Sequence, residues 1–170
     1  PLHDVPAARV LIGGLGLGFT LRAALETLRT DAQVVVAELV PEVIEWNADP
    51  AYDLSAGAMR DPRVQVLQQD VVDVLHGHPG AFDAIVLDID NGPAGMLMSE
   101  SARLYAAPGI AITLAALRPN GTVAYWSVGD DPRFAHALRG AGLSVEALRV
   151  RAHDTAGPMH TIYVATPGCV

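Results

Sequence analysis

Ala8-Arg9-Val10-Leu11-Ile12-Gly13-Gly14-Leu15-Gly16-Leu17-Gly18-Phe19-Thr20-Leu21-Arg22 is the stretch on which the fold turns. Ala8 to Gly13 reads as an apolar strand, Gly18 to Arg29 carries a helical pattern, and four glycines in six positions join them. Glycine serves where backbone takes positive φ or approaches a ligand closely, and a helix starting just beyond offers unpaired N–H groups. A tight strand-to-helix turn without a ligand is the other reading. The dinucleotide pattern G-x-G-x-x-G fails by one residue, because Gly18 follows Gly16 after a single position. G-x-G-x-G fits, a pattern typical of sites for a nucleoside with a short charged tail.

Outward from this turn, Gln33 to Leu39, Arg63 to Gln68, Phe82 to Asp88 and Thr122 to Ser127 are further strand-like runs rich in Val, Ile and Leu. Such near-continuous apolar runs are expected of parallel strands buried on both faces. Helical patterns alternate with them at Gly18 to Arg29, Pro41 to Asn47, Val71 to Leu75, Ser99 to Arg118 and Pro132 to Gly140. Pro108 and Gly109 split the fourth of these into two helices, since proline is tolerated in a first turn but not in mid-helix.

The C-terminal end departs from this rhythm. Leu143 to Val150 and Met159 to Thr166 are both strand-like, and the residues between them are too few for a helical crossover. They predict an antiparallel hairpin. The expected fold class is α/β, a doubly wound, mostly parallel seven-stranded sheet closed by that hairpin. Five βα units ending so resemble the class I AdoMet-dependent methyltransferase plan, a Rossmann-like fold.

Length and charge narrow the function. The 170 residues fit one domain, residues 1–170. All 11 basic residues are arginine, so mechanisms that need a lysine amine are excluded. The net charge of −8 argues against a nucleic-acid partner, which requires clustered positive charge. If charge guides a substrate, it guides a cation. No apolar run approaches a membrane span, and the lone cysteine, Cys169, cannot form an internal disulfide. The chain starts at Pro1 without a basic-then-apolar leader, so a soluble, cytoplasmic piece with a missing N-terminal neighbour is expected.

Glu38 ends the second strand twenty residues after Gly18, where a carboxylate can accept from both ribose hydroxyls. Asp70 ends the third, placed to accept from an adenine amino group, with a helix N-cap as the compatible alternative. In open α/β sheets the ligand lies beyond the strand ends where strand order reverses, here between the first and fourth strands. Asp83 opens the fourth strand at the other end and is assigned to turn chemistry. His76-Gly77-His78 has no nearby third ligand, so no metal is expected. Tyr105, as a substrate cover or a partner for an acid, and Trp126, near the end of the fifth strand, are candidates for lining the crevice; core packing is the alternative for both. Trp46 and His160 are read as structural.

These residues resemble the spermidine synthases, or polyamine aminopropyltransferases. Val10 to Arg22 is similar to that family's glycine motif. Glu38 with Val43-Ile44-Glu45 resembles its ribose-binding region, and Asp61-Pro62-Arg63-Val64 leading to Asp70 its approach to adenine. Phe82 to Asp88 resembles its fourth strand, and Leu117-Arg118-Pro119-Asn120-Gly121-Thr122-Val123 the turn into its fifth. The similarity covers nearly the whole chain, but the family's small β domain ahead of the first strand has no counterpart here. The resemblance implies a co-substrate held by Gly14, Gly16, Gly18, Glu38 and Asp70, either decarboxylated S-adenosylmethionine or S-adenosylmethionine. It implies a small-molecule amine acceptor met by Asp88 and Asp90. A homodimer is compatible with it; nucleic acid and membrane are not expected as partners.

Two departures fall on catalytic positions. Leu17 stands where the family carries an aspartate that helps hold the aminopropyl amine. Asp88-Ile89-Asp90-Asn91-Gly92-Pro93 replaces the longer Asp-Ser-Ser-Asp-Pro-x-Gly-Pro, so Asp88 is carried over as the first acid and Asp90 is a candidate for the second. The expected function is an aminopropyltransferase-like alkyl transfer to an amine. The alternatives are an AdoMet-dependent small-molecule methyltransferase and a catalytically silent nucleoside-binding domain.

Overall fold

A segment such as Val34-Val35-Val36-Ala37 has no polar side to show to water, so the sheet built from it must be covered on both faces. The computed structural model describes residues 2–52, 54–55, 57–89, 102–151 and 157–168. Its strands are β1 (Arg9–Gly13), β2 (Gln33–Glu38), β3 (Val64–Gln68), β4 (Phe82–Leu87), β5 (Leu117–Ser127), β6 (Leu143–Arg151) and β7 (Met159–Pro167). Its helices are α1 (Phe19–Thr27), α2 (Pro41–Ala48), α3 (Val71–Gly77), α4 (Ala102–Tyr105), α5 (Ala107–Ala116) and α6 (Pro132–Gly140). Short 3-10 turns at Leu2–Asp4 and Ala58–Arg60 were not foreseen in the sequence.

The strands form one seven-stranded sheet in the order β3-β2-β1-β4-β5-β7-β6. β1 pairs in parallel with β2 on one side, Val10 opposite Val34, and with β4 on the other, Val10 opposite Ala84. The chain therefore winds outward from β1 to β3, returns, and winds outward again from β4, so strand order reverses between β1 and β4 as expected. β7 inserts antiparallel between β5 and β6, giving the predicted hairpin nine registered pairs.

Each face of the sheet has its own apolar layer. Leu11, Val35, Ile85, Leu87, Val123 and Tyr125 pack against α3, α5 and α6 through Val74, Leu75, Ile110, Phe134 and Leu138. Val10, Ile12, Val34, Val36 and Ala84 pack on the other side against Leu21 and Leu28, with the α2 residues Val43 and Ile44 at the margin. Burying a Leu or Ile side chain in such layers stabilises the fold by roughly 1.5–3 kcal/mol.

Two expectations are corrected, and the expected split of the fourth helical pattern into two helices is found. β5 begins at Leu117 and not at Thr122: Leu117 pairs with Phe82 and Thr122 with Ala84, so the residues around Asn120, at φ 64°, bulge out of register without leaving the sheet. The helix break lies at Ala106, with Pro108 in the first turn of α5. Gly109 then packs so tightly on α4 that a Cβ would lie 2.2 Å from the Arg103 carbonyl oxygen. Asp83 is not a turn residue. Its Oδ2 accepts from Arg118 Nη1 at 2.6 Å and from the Arg9 N–H at 2.7 Å, tying the starts of β1, β4 and β5 together.

Candidate functional site

Gly13 ends β1 and Phe19 begins α1, leaving five residues to reverse the chain above the β1/β4 reversal. Gly14, Gly16 and Gly18 have φ of 92°, 51° and 75°, the left-handed region that side chains other than glycine rarely adopt. Gly14 is also pressed against the end of β4, where a Cβ would lie 2.3 Å from the Asp88 carbonyl oxygen. The Gly14 N–H donates to the Ala37 carbonyl at 2.9 Å and the Asp88 N–H to the Gly13 carbonyl at 2.9 Å, so the loop is anchored to both neighbouring strands. Gly16 is different: a Cβ there would meet nothing within 4 Å among the described residues. Packing among the described residues does not demand its bareness, and Gly16 is exposed among them.

Glu38 is only 8 % exposed at the end of β2. Its Oε2 accepts the Leu15 N–H and its Oε1 the Val40 N–H, each at 2.8 Å. The carboxylate at the expected ribose position is thus also a strap that holds the glycine loop. Each oxygen keeps a second lone pair for a further donor. Asp70 caps α3, with Oδ1 accepting the Val72 N–H at 2.8 Å, so the capping alternative is realised.

Asp88, half-buried just beyond β4, accepts the Thr20 hydroxyl on Oδ2 at 2.6 Å. Glycine loop, Glu38 and Asp88 therefore stand together at the adjacent ends of β1, β2 and β4. Asp90 lies outside the described residues. Leu17 is 52 % exposed in the glycine loop, and Phe19, Leu39 and Val40, which follow the ends of the loop and of β2, are exposed as well.

Tyr105 is buried in an aromatic cluster, with ring centroids 5.9 Å from Tyr125 and 5.4 Å from Phe134. Its hydroxyl is buried with no partner among the described residues, so no described acid accepts from it. Burial, then the neighbouring Tyr125 and Asp88, pushes its pKa far above the usual phenol range. Trp126 lies on the opposite face of β5 from Tyr125, half-buried with its ring 4.9 Å from that of His160. Among the described residues no group of three His, Cys, Asp or Glu is placed to hold a metal ion. His78 instead has its Nδ1 2.8 Å from the Val74 carbonyl of its own helix.

Three contributors escaped the sequence reading. Thr20 orients Asp88. Asn47 and Ser55, both buried, seat the far end of the loop: Asn47 Nδ2 donates to the Gly16 carbonyl at 2.8 Å, and a Cβ on Gly18 would lie 2.6 Å from Ser55 Cβ. The one available signal was spacing, because Asn47 falls four residues after Val43 and three after Ile44, on the inward face of α2.

No protein-family model matches the chain. It is 32 % identical over 145 residues to polyamine aminopropyltransferase 2 of Pseudomonas aeruginosa, covering 81 % of this chain and 39 % of that protein. It is 32 % identical over 158 residues to a Mycobacterium tuberculosis polyamine aminopropyltransferase, covering 83 % of this chain and 27 % of the relative. The chain thus spans well under half the length of these curated relatives. The crystal structure of Thermotoga maritima spermidine synthase matches with a TM-score of 0.70 at 22 % identity, over 98 % of this chain and 56 % of that one. Human methyltransferase-like protein 13 in complex with SAH matches with a TM-score of 0.69 at 18 % identity, over 99 % and 74 %. Among the described residues no helix is long and apolar enough to cross a membrane. The chain is therefore spermidine synthase-like, a relative of the polyamine aminopropyltransferases that carries the fold they share with class I methyltransferases.

Proposed function

We propose that the chain is the nucleoside-binding unit of a transferase that moves an aminopropyl group from decarboxylated S-adenosylmethionine to a small amine. The observation that carries this reading is the convergence of three features at the β1/β4 reversal: a glycine loop with Gly16 exposed among the described residues, the Glu38 carboxylate strapped beneath it, and Asp88. In this reading residues 1–170 are a single domain that works in the cytoplasm. Glu38 meets the ribose, Asp70 the adenine, and the loop the tail. A homodimer is compatible with the arrangement.

The chemistry is an in-line displacement. The amine nitrogen attacks the carbon bonded to sulfonium, the carbon–sulfur bond breaks, and its electron pair leaves on the sulfur of methylthioadenosine. Asp88, with Asp90 as its proposed companion, binds the incoming amine as a cation and accepts a proton from it, which frees the nitrogen lone pair for attack, while the site holds nitrogen, carbon and sulfur in line. No metal takes part in this scheme.

One observation favours a second reading. Leu17 offers no carboxylate at the crest to pair a bare ammonium, nor any charge to repel the carboxylate of intact S-adenosylmethionine. Methyl transfer from that compound to a small molecule is the alternative. Incubation of the protein with each nucleoside and a panel of polyamines separates them: released methylthioadenosine supports the first, released S-adenosylhomocysteine the second. Binding without release of either would mean a silent nucleoside-binding domain.

A further inference from the structure

We infer that Asn47 is a positioning residue of the nucleoside site, fixing the peptide between Gly16 and Leu17 and so the direction in which the loop crest presents its N–H. This rests on the reading of the loop as a nucleoside cradle.

Asn47 stands near the end of α2 and is 3 % exposed. Its Nδ2 donates one proton to the Val43 carbonyl of its own helix at 2.9 Å and the other to the Gly16 carbonyl at 2.8 Å. Both partners are acceptors, so the reversed amide would set an oxygen against two carbonyls; chemistry fixes its orientation. A trans peptide is planar, with its C=O and the following N–H pointing opposite ways. Drawing the Gly16 oxygen toward α2 therefore turns the Leu17 N–H away from α2. Gly16, at φ 51° with no side chain, has no steric preference of its own to hold that peptide.

The cost side of Asn47 points the same way. Its Oδ1 is buried with no donor among the described residues. A buried unpaired acceptor is unfavourable, so this side chain is a poor choice for packing alone. Oδ1 also lies 3.3 Å from where a Gly18 Cβ would stand, so one side chain borders the loop at both Gly16 and Gly18.

The test compares native protein with Asn47→Asp, nearly isosteric but without the two donors, and with Asn47→Ala in case the buried acid prevents folding. Three quantities are read: amide exchange at Leu15 and Gly18 relative to β1 and β2, the calorimetric Kd for methylthioadenosine, and the thermal midpoint. The expected result is loop exchange accelerated by about tenfold or more with strand exchange unchanged, and affinity reduced by about tenfold or more. A folded variant with native affinity, or loop and strand exchange rising together, would overturn the inference and leave Asn47 merely structural. Native protein that binds no adenosine thioether would overturn the nucleoside reading itself and this inference with it. Native binding with unchanged variant affinity overturns the inference alone.

Discussion

The hydroxyl of Thr20 donates to Oδ2 of Asp88 at 2.6 Å and joins the first turn of α1 to the end of β4 across the strand-order reversal. The bond holds the carboxylate in one orientation at these strand ends. Thr20→Val keeps the shape and removes the donor. A hydrogen bond to a charged group contributes about 1.5–3 kcal/mol when buried, and less at this half-buried position. Steady-state kinetics should show the KM for the amine acceptor raised by roughly threefold to tenfold, with the nucleoside Kd nearly unchanged. An unaltered acceptor KM would remove Thr20 from the account.

Gly14 and Gly16 should respond differently to alanine. Gly14→Ala meets both a φ of 92° and a backbone oxygen 2.3 Å from the new Cβ, so a loss of more than about 3 kcal/mol is expected in chemical denaturation. Gly16→Ala meets nothing within 4 Å among the described residues and carries only the left-handed penalty of about 1–2 kcal/mol. Its methyl stands where a ligand would approach, so nucleoside affinity should fall in a protein that stays folded.

Arg63 ties β3 to the C-terminal end of α1. Its Nη1 donates to the Leu28 and Arg29 carbonyls at 3.1 and 3.2 Å, and its Nη2 to the Leu25 carbonyl at 3.1 Å, satisfying carbonyls that a helix end leaves unpaired. Arg63→Ala should cost about 1–3 kcal/mol. The same guanidinium, by its hydrogen bond at 2.8 Å, holds the Asp61 carboxyl below its ordinary pKa. A depressed carboxyl adds stability above its unfolded pKa of about 3.9, and that stability is lost as pH falls through the lower folded value. Denaturation across pH should therefore show the native–variant difference at full size above about pH 4 and shrinking below it.

Much of this was legible in the sequence, and the exceptions share a cause. The apolar runs of β1, β2, β3 and β4 end in glycine, acid or turn residues, so their bounds fall within a residue or two of the expected ones. Glu38 was read by counting from the glycine loop to the end of the second strand, and Asp70 as the acid ending the third. Their present partners were not, because the Leu15 and Val40 amides reach Glu38 only through the path of the folded loop. Asp83 shows the same limit: the groups it accepts from lie 35 and 74 residues away in the chain. Asn47 was hidden by its type, a polar residue at an apolar phase of a short helix.

Leu17 bears on the identity of the donor. Leu17→Asp would add a charge that attracts the ammonium of decarboxylated S-adenosylmethionine and repels the carboxylate of the intact compound. At 52 % exposure solvent screens this, so the shift in relative affinity should be up to about 1 kcal/mol. The ratio of the two dissociation constants in native and variant protein is the measurement. Native protein that already prefers the decarboxylated compound strongly would show that another acid holds the amine, and would strengthen the aminopropyl reading over the methyl one.

In the proposed function the glycine loop and Glu38 bind an adenosine thioether. This is tested most directly by titration calorimetry of native protein and Glu38→Ala with methylthioadenosine and S-adenosylhomocysteine. Native protein should bind at least one of them, and the variant should bind it more weakly by about 1.5–3 kcal/mol, a loss of roughly 10- to 150-fold. Native protein that binds neither, or a folded Glu38→Ala protein that binds both as tightly as the native, would contradict it.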